Sequence, residues 1–440
     1  MPAGFRAGGR AVGIKASGRS DLALVVTTAG PAAAAAVFTP NTFAAAPVRL
    51  SRAHLAATSG DMRGGFGWAE AVISTSGSAN AATGAAGDAD QATIARLVAE
   101  ATGAQITRTL HMSTGMIGTR LPLDRVAVGL TALVLELAAT DEGLEAAASA
   151  LRTTDSVTKL ATTTVQLPAD DRDGHSPTAP VTITVSGIAK GVGMIHPRMA
   201  TMLSIVLTDA TVAPETLWGL LRPAAARTWD QLSVDGDMST NDTVFILASG
   251  AAGGAPVKPD SPAAAGLAAA IEAVARDLAR QQAADGEGAS TLITADVTGA
   301  RDDADARAIA RAIVSSSLVK AAAHGRDPNW GRIAGAAGSA RVADPAVLEA
   351  AGLSAAEAAV RAGSPAVLDP DTLRISIAGF LVFDGAAGGP VPFDRAAARA
   401  AMEAPEVIIG LDLGQGTGRG EAFGCDLTEA YVIENSEYST

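Results

Sequence analysis

The sequence predicts a layered α/β fold in which helices pack on buried sheets. Short runs rich in β-branched residues alternate with longer helical patterns, and no segment repeats another. One run, MLSIVL at 202–207, is almost wholly apolar, as is typical of a strand covered on both faces. Hydrophobic residues make up 48% of the chain and charged residues 18%, so a large core can be buried. Mixed strands and helices bury such a core by stacking in layers.

The first half of the chain alternates strand and helix patterns. DLALVV (21–26) and AVIST (71–75) are short β-rich runs. A helix is predicted over 88–103, because its apolar residues follow i, i+3, i+4, i+7 spacing, an acidic residue begins it and a glycine ends it. The apolar run 126–140 contains Glu136 and is shorter than the roughly 18 residues that span a bilayer, so it predicts a buried helix.

The second half continues the same alternation. VTITVSGIAK (181–190) alternates as a half-buried strand does, and one apolar stripe predicts a helix over 267–282. Further strand candidates are TLITADV (291–297), LRISIAGFLVF (373–383) and EVIIGLDL (406–413). The stretches 168–180 and 250–265 are polar or rich in Pro and Gly and are predicted to be surface insertions. Because no stretch is typical of a flexible linker, the 440 residues are expected to form two domains or one large layered body.

Composition argues against several classes of function. The net charge is −13 and aromatic residues make up 3%, so the chain is a poor candidate for binding nucleic acid, which needs clustered Lys and Arg. Cys425 is the one cysteine, which rules out an intrachain disulfide and favours a buried structural thiol over a nucleophile. The N-terminal segment MPAGFRAGGRAVGIKASG lacks the apolar stretch of a signal peptide. A soluble, cytoplasmic protein without a membrane partner is expected.

Common cofactor and metal motifs are missing from the sequence. P-loop, HExxH and CxxC patterns are absent, and the glycines at 191 and 193 lack the third glycine of a dinucleotide fingerprint. SVDGDMSTND (233–242) spaces its carboxylates like a calcium loop but has Ile246 where the bidentate Glu would stand, so a turn held by Asp and Asn side chains is favoured. The five histidines show no metal-ligand spacing. No cofactor and no metal are therefore expected.

The stretch KGVGMIHPRMATMLSI (190–205) places Thr201 where a loop meets the apolar strand. Taken alone, this threonine is a β-former at the start of a strand. The stretch resembles, however, the cleavage-site motif of the ornithine acetyltransferase family (glutamate N-acetyltransferase, ArgJ type). Further segments resemble the same family in the same order along nearly the whole chain. They are GFRAGGRAVGIKASGRSDLALVV (4–26), HMSTGMIG (111–118), TTDS (153–156), SVDGDMSTNDT (233–243), DGEGAS (285–290), HGRDPNWGR (324–332) and GCDLTEAYVIENSEYST (424–440).

The resemblance implies a self-processing enzyme. The precursor would cut itself between Ala200 and Thr201, giving fragments 1–200 and 201–440 that assemble as an α2β2 heterotetramer. The implied fold is an α-β-β-α type sandwich that resembles N-terminal-nucleophile hydrolases in chemistry but differs in connectivity. The implied reaction moves acetyl from N2-acetylornithine to glutamate in arginine biosynthesis, by a ping-pong route through acetyl-Thr201.

This chemistry explains the residues at the junction. A threonine hydroxyl is a weak nucleophile without a base, and the α-amine of an N-terminal threonine can be that base. Its pKa of roughly 7.7–8.0 lies close to working pH. Small residues at 191, 193 and 200 allow the backbone to approach without side-chain clashes. By resemblance, the Thr114 hydroxyl and the Gly115 N–H stabilise the oxyanion.

The resemblance also implies a substrate-binding set. It consists of Thr153, Lys190, Thr201, Glu287, Asn435 and Thr440. Lys190 is expected to pair with the substrate carboxylate and Glu287 with the cationic end of ornithine. The alternative is that Lys190 and Glu287 form a buried ion pair.

The sequence departs from the family pattern at three places. The loop usually written NSGNANACTG is TSGSANAATG here (75–84), TTDSVTK lacks the usual proline before its lysine, and PADDRDGHSPTAP (168–180) is extra. These departures are expected to lie away from the nucleophile and the oxyanion turn. They leave two alternatives open, which are a different amino-acid acceptor in a specialised (antibiotic) pathway and an N-terminal-threonine amidohydrolase.

Overall fold

The computed structural model of the chain describes residues 1–168, 180–195, 202–350 and 352–436. Three predicted site residues, Ala200, Thr201 and Thr440, lie outside the described residues, as do 169–179 of the predicted insertion. The chain divides into two units. The first unit comprises Met1–Gly191, Thr201–Ala224 and Met238–Leu278, and the second comprises Val192–Ala200, Ala225–Asp237 and Ala279–Thr440.

The strands and helices are numbered in chain order. The strands are β1 Phe5–Arg10, β2 Leu22–Thr27, β3 Ala32–Phe38, β4 Phe66–Ala69, β5 Ala71–Ser78, β6 Thr109–Met116, β7 Lys159–Leu167, β8 Val181–Lys190, β9 Leu203–Thr208, β10 Leu232–Ser233, β11 Thr243–Ala248, β12 Leu292–Ala300, β13 Arg374–Ile377, β14 Phe380–Asp384, β15 Gly389–Pro390, β16 Glu406–Asp412 and β17 Gly418–Cys425. The α-helices are α1 Ala46–Ser59, α2 Gly84–Thr102, α3 Leu123–Glu136, α4 Asp141–Leu151, α5 Pro214–Arg227, α6 Pro262–Ala284, α7 Asp303–Ser315, α8 Ser317–His324, α9 Trp330–Gly338, α10 Pro345–Ala350, α11 Ala355–Arg361, α12 Arg395–Ala401 and α13 Glu429–Ser436.

The described part of the first unit contains two sheets. One has four strands in the order β1-β2-β5-β6, and the other has six in the order β4-β3-β11-β9-β8-β7. Pairing is antiparallel except between β5 and β6 and between β11 and β9, which run parallel. The predicted strand 202–207 is β9, which is buried along its whole length between β11 and β8. The prediction of a strand covered on both faces is confirmed.

Helices cover both sheets of the first unit. One core joins residues of β2, β9 and β11 with residues of α1 and α4. A second core joins the opposite face of β2 and β5 with α2 and α3. Helix α6 packs on β8 so closely that a Cβ added to Gly187 would lie 2.8 Å from the side chains of Val274 and Leu278. The predicted layered α/β class is therefore confirmed.

Helix α3 differs from its prediction. The apolar run 126–140 was expected to be buried, but α3 spans Leu123–Glu136 and exposes 76% of Val128 and 86% of Leu135. The reason is that α3 packs with one face only, through Val126 and Leu130, on the outer side of its sheet. Its apolar outer face could not be distinguished from a core face by composition. Helix α2 agrees with its prediction but begins four residues earlier, at Gly84.

Strand β3 has the sequence AAAAAVF and is buried throughout. Alanine favours helices, so this sequence does not predict a strand. Its partners β4 and β11 supply the backbone hydrogen bonds on both sides. The small side chains allow neighbouring layers to approach, and tertiary packing overrides the local preference.

The described part of the second unit contains a seven-stranded sheet in the order β10-β17-β12-β16-β13-β14-β15. Helix α7 lies directly on β17, where a Cβ on Gly420 would stand 2.5 Å from the backbone nitrogen of Arg307. The core of this unit joins β12, β13 and β16 with α7 and α9. The strands predicted over 291–297 and 406–413 are confirmed as β12 and β16.

The strand predicted over 373–383 is wrong, because the segment forms a hairpin of β13 and β14. Its two-residue turn has positive φ at both positions, +48° at Ala378 and +85° at Gly379. Turns of this kind are usually signalled by Asn-Gly or Asp-Gly, and an alanine at the first position conceals the turn. In the other predicted insertion, residues 251–260 are mostly exposed as expected, but Pro262 already begins α6.

Across the described ranges, no helix is both long enough and apolar enough to cross a membrane.

Candidate active site

The predicted oxyanion turn lies at the end of β6, where two glycines face each other. Gly115 pairs with Gly77 of β5, and φ is +123° at Gly115 and +121° at Gly77. A Cβ on Gly115 would lie 2.4 Å from the carbonyl carbon of Gly77. Both the backbone conformation and the contact therefore require glycine at 115. The register of β5 and β6 shifts at this point, which ends the regular pairing beside the turn.

Thr114 is buried and is hydrogen-bonded to a second predicted site residue. The Nζ of Lys190 donates to the Oγ1 of Thr114 at 3.3 Å. The preceding carbonyl, that of Ser113, accepts from Nδ2 of Asn241 at 2.8 Å, and the same Nδ2 donates to the carbonyl of Ala79 at 2.7 Å. These bonds hold the turn in place from a distant part of the chain.

One departure from the family pattern contacts this turn. The hydroxyls of Thr75 and Ser113 are hydrogen-bonded at 2.8 Å, and Ser78 pairs with Thr114 in the sheet register. The expectation that the departures lie away from the oxyanion turn is therefore wrong for the loop 75–84. The sequence could not show this, because the parallel pairing of β5 and β6 joins residues almost forty positions apart.

Asp155 organises the first-unit residues around Lys190. Its carboxylate accepts from Lys159 Nζ at 2.7 Å, from the Gly191 N–H at 2.8 Å and from the Thr153 N–H at 3.0 Å. Burial alone would raise the pKa of this carboxyl, but the charges of Lys190 and Lys159 and the hydrogen bonds hold it well below its usual range. Asp155 is therefore an anion. It links Thr153 to Gly191, the neighbour of Lys190.

Asp155 is a site residue that sequence reasoning missed. It stands inside the TTDS motif, and Lys159 follows it at the i+4 position. A carboxylate and a lysine at that spacing occur commonly as exposed pairs, whereas here both side chains have 0% exposure. Only the tertiary structure shows the burial that makes the pair significant.

Asp242 holds the chain on the C-terminal side of the predicted cleavage bond. Its Oδ1 accepts from the N–H of Met202 at 3.1 Å. The side chain is completely buried, which raises its pKa well above the usual value, although the Met202 N–H, Lys190 and Ser239 act in the opposite direction. The Oδ2 atom has no hydrogen-bond partner within the described ranges. Asp242 is therefore a buried acid whose surroundings favour its protonated form, and sequence reasoning did not find it either.

In the second unit, Asp235 holds the chain on the N-terminal side of the predicted cleavage segment. Its carboxylate accepts from the N–H groups of Met194, Ile195 and Asp237, and the N–H of Val234 donates to the Ile195 carbonyl at 2.7 Å. Burial raises the pKa of Asp235, and these hydrogen bonds counteract part of that rise. The predicted turn held by an aspartate side chain is confirmed at Asp235.

Two predicted site residues of the second unit, Glu287 and Asn435, are in contact with each other. Nδ2 of Asn435 donates to Oε2 of Glu287 at 3.0 Å, and the Glu287 N–H donates to the Val192 carbonyl at 2.8 Å. A Cβ on Gly193 would lie 2.1 Å from the same Oε2, so Gly193 makes room for the carboxylate. Burial, followed by the negative charges of Asp235 and Glu287, raises the pKa of Tyr431. The surroundings of Glu287 are thus strongly acidic.

Two further titratable groups, His111 and Cys425, are buried. His111 is completely buried, and burial together with His54 lowers its pKa to about 3, so it is neutral. Cys425 is buried and burial raises the pKa of its thiol, which confirms the predicted structural thiol. Within the part of the chain that the structure describes, no three His, Cys, Asp or Glu residues are placed to hold a metal ion.

Comparison with known proteins places these residues in a family. The profile described as the ArgJ family matches residues 6–440. The chain is 42% identical to the arginine biosynthesis bifunctional protein ArgJ of Synechococcus over 448 residues, which cover 100% of this chain and 96% of that protein. It is 41% identical over 440 residues to the protein of the same name from Thermus thermophilus, and those residues cover 100% of this chain and 99% of that protein.

Among solved structures, the chain is similar to the ornithine acetyltransferase of Mycobacterium tuberculosis in complex with ornithine. The identity is 37%, the similarity covers 45% of this chain and 93% of that one, and the TM-score is 0.36. The family match over almost the whole chain, and the identity with full-length relatives, agree with the order of motifs in the sequence. The chain therefore belongs to the ArgJ family and is an acyltransferase.

Proposed function

We propose that this enzyme moves acetyl from N2-acetylornithine to glutamate, by a ping-pong route that begins with self-cleavage before Thr201. The observation that carries the proposal is the hydrogen bond from Lys190 to Thr114. It connects the end of β8, which leads into the predicted cleavage segment, with the predicted oxyanion turn on β6. Family membership supports the same activity, because relatives are named as arginine biosynthesis proteins.

Self-cleavage would prepare the nucleophile. The hydroxyl oxygen of Thr201 attacks the carbonyl carbon of Ala200, the peptide C–N bond breaks as the hydroxyl proton passes to the Thr201 nitrogen, and an ester joins the two residues beside a free α-amine. Water then hydrolyses the ester, which leaves a carboxylate on Ala200 and restores the hydroxyl of Thr201. That amine can accept the proton of the Thr201 hydroxyl in the next reaction.

Acetyl transfer would follow in two halves. Thr201 attacks the acetyl carbon of N2-acetylornithine, the amide C–N bond breaks, and ornithine leaves with a proton from the Thr201 amine. The amine of glutamate then attacks the acetyl ester, and N-acetylglutamate leaves as the Thr201 hydroxyl is restored. Each half passes through a tetrahedral oxyanion, which hydrogen-bond donors stabilise.

The geometry at Thr114 suits it to that role. A hydroxyl has one proton and two acceptor lone pairs. Because Lys190 donates to Thr114, the Thr114 proton remains directed elsewhere and can be donated to an oxyanion. Asp155 supplies a compensating negative charge beside Lys190. In the second unit, the acidic surroundings of Glu287 suit a cationic group such as the ornithine ammonium.

The experiment that tests the proposal has two parts. Purified protein is first analysed by denaturing gel and intact mass, with Thr201→Ala as the uncut control. We expect fragments 1–200 and 201–440 from the parent protein. Acetate release and N-acetylglutamate formation are then measured with and without glutamate. A persistent single chain would refute the cleavage, and glutamate-independent turnover at the same rate would identify an amidohydrolase instead.

A second candidate is transfer to a different amino-acid acceptor in a specialised pathway. The contact between Thr75 and Ser113 favours it, because a departure from the family pattern lies directly beside the oxyanion turn. A panel of amino acids offered to the acetylated enzyme distinguishes the two. Glutamate is the expected best acceptor for the first candidate, and a clear preference for another amine would establish the second.

A further inference from the structure

The loop that joins β1 to β2 is held in one conformation by Asp21. This buried carboxylate accepts from the backbone N–H groups of Val12, Ile14 and Lys15 at 2.7, 2.6 and 2.9 Å. The N–H of Ser76, next to Gly77, donates in turn to the Asp21 carbonyl at 2.9 Å. The loop is therefore ordered by its own acid and tied to β5, despite a sequence rich in glycine and polar residues.

The same loop lies against Gly77, the glycine that faces the predicted oxyanion turn. A Cβ on Gly77 would stand 2.9 Å from Cγ2 of Ile14 and 3.2 Å from the backbone nitrogen of Lys15. Gly77 in turn contacts Gly115 of the predicted oxyanion turn. Further along the loop, Nη2 of Arg19 donates to the Thr153 carbonyl at 2.9 Å. The loop thus extends from the oxyanion turn to the Asp155 cluster.

Lys15 brings a further positive charge to this region. It is partly buried, its Nζ donates to the Ser20 carbonyl at 2.6 Å, and it interacts electrostatically with Asp21, Arg19, Lys190 and Asp155. A lysine ammonium has three donors, so donors beyond the one used by Ser20 are available to a ligand. Burial is the main cause that lowers the pKa of Lys15 to about 8.

Several cations lie in this region. Lysines 15, 159 and 190 and Arg19 are cations, whereas Asp21 and Asp155 are the carboxylates that interact with Lys15. Asp21 is already engaged by three backbone N–H groups, and Asp155 by Lys159. Cations grouped in partly buried surroundings favour an anionic ligand.

We propose that Lys15 binds the carboxylate of the amino-acid substrate, as a specificity-determining residue beside Lys190. The inference rests on the proposed function for the identity of the substrate, and it identifies a cation that binds the carboxylate of that substrate. Among the described residues, Lys15 Nζ donates to the Ser20 carbonyl, which leaves further donors for a carboxylate, and Lys15 interacts electrostatically with Lys190. A carboxamide in place of the carboxylate would remove this attraction.

The test is equilibrium binding, which needs no turnover. Calorimetry gives the Kd of L-ornithine and of L-ornithinamide for the parent enzyme, Lys15→Met and Lys15→Arg. Lys258→Met, which changes an exposed lysine, is the matched control. We expect Lys15→Met to weaken ornithine binding about tenfold to a hundredfold, the range for a hydrogen bond to a charged group, and to leave ornithinamide binding nearly unchanged. Lys15→Arg should restore most of the affinity, and Lys258→Met should match the parent.

The pH dependence gives a second readout. As the pH rises through about 8, Lys15 loses its proton, so ornithine binding by the parent should weaken more steeply than binding by Lys15→Arg, whose charge persists. Equal losses for ornithine and ornithinamide in Lys15→Met, or parent-like affinity for both, would overturn the proposal. If acetyl transfer is absent while Lys15-dependent binding persists, the proposed function fails and this inference stands.

Discussion

The carboxyl group of Asp242 accepts a hydrogen bond from the backbone N–H of Met202 at 3.1 Å. Met202 follows the predicted nucleophile in the chain, so this buried acid holds the strand that begins there. Burial raises the pKa of this carboxyl well above its usual value, so we expect its function here to be accepting a hydrogen bond and not supplying a charge. The two properties can be separated by substitution.

Asp242→Asn should cleave at a rate close to that of the parent, because a neutral amide oxygen can accept the same bond. Asp242→Leu removes the acceptor and leaves the Met202 N–H buried without it, which costs about 1–3 kcal/mol of stability. We expect Asp242→Leu to cleave slowly or not at all. A denaturing-gel time course after synthesis measures both variants, and equal impairment of the two would show that the charge or proton of Asp242 is required.

Thr114→Val should lower acetyl transfer by about a hundredfold, because the variant loses one oxyanion donor. Valine has nearly the same shape as threonine, so packing at this buried position is preserved while Lys190 loses its acceptor. Thr114→Ser retains the hydroxyl and should remain active. Mass spectrometry of single-turnover acetylation at Thr201 compares the parent with Thr114→Val and Thr114→Ser. A fully active Thr114→Val would remove Thr114 from the oxyanion site.

Asp155→Asn should destabilise the first unit by about 3–5 kcal/mol, because it leaves the buried charge of Lys159 without its anion. The folded pKa of Asp155 is depressed, so its contribution is present above the unfolded value of about 3.9 and is lost as the pH falls through the folded value. The difference in the free energy of unfolding between parent and variant should therefore decrease at acid pH. Urea unfolding at several pH values measures this difference.

An exposed pair of the same i, i+4 spacing serves as the control for Asp155. Arg96 and Glu100 have side chains that are 54% and 60% exposed. Glu100→Gln should change the free energy of unfolding by less than about 0.5 kcal/mol. A comparable loss in both variants would mean that the effect of Asp155 is not due to burial.

Gly115→Ala should abolish self-cleavage and destabilise the protein by about 3 kcal/mol or more. The alanine Cβ would lie 2.4 Å from the carbonyl carbon of Gly77, and a φ of +123° is unfavourable for alanine. Gly118 also has positive φ, +85°, but a Cβ there meets no atom within 4 Å. Gly118→Ala should cost only about 1–2 kcal/mol and still cleave. Similar behaviour of the two variants would contradict a specific requirement at Gly115.

Ala378→Asn should stabilise the second unit by about 0.5 kcal/mol. Ala378 has φ of +48° in the turn between β13 and β14, and asparagine tolerates this conformation better than alanine does. The resulting Asn-Gly turn is the usual choice for two positive φ values. Thermal unfolding at one scan rate compares the proteins, and a loss of stability would show that the alanine methyl contributes more by packing than it costs by strain.

Features that depend on near neighbours in the chain are predictable from local sequence patterns. The alternation in VTITVSGIAK predicts β8 over the same residues that form it, and the apolar run at 202–207 identifies a strand that is buried on both faces. The ordered motifs identify the family, since they are written in consecutive residues. The pairs Thr114 with Gly115 and Ala200 with Thr201 are predicted in this way, as parts of such motifs.

Features that depend on distant partners require the folded chain. AAAAAVF is a strand because β4 and β11 pair with it, against its local preference for helix. Asp155 matters because burial turns an ordinary i, i+4 pair into a strong electrostatic influence on Lys190. The Asn241 amide reaches Ser113 across 128 positions of sequence. Burial and hydrogen bonding between remote segments exist only in the folded chain, and for this reason no local pattern records them.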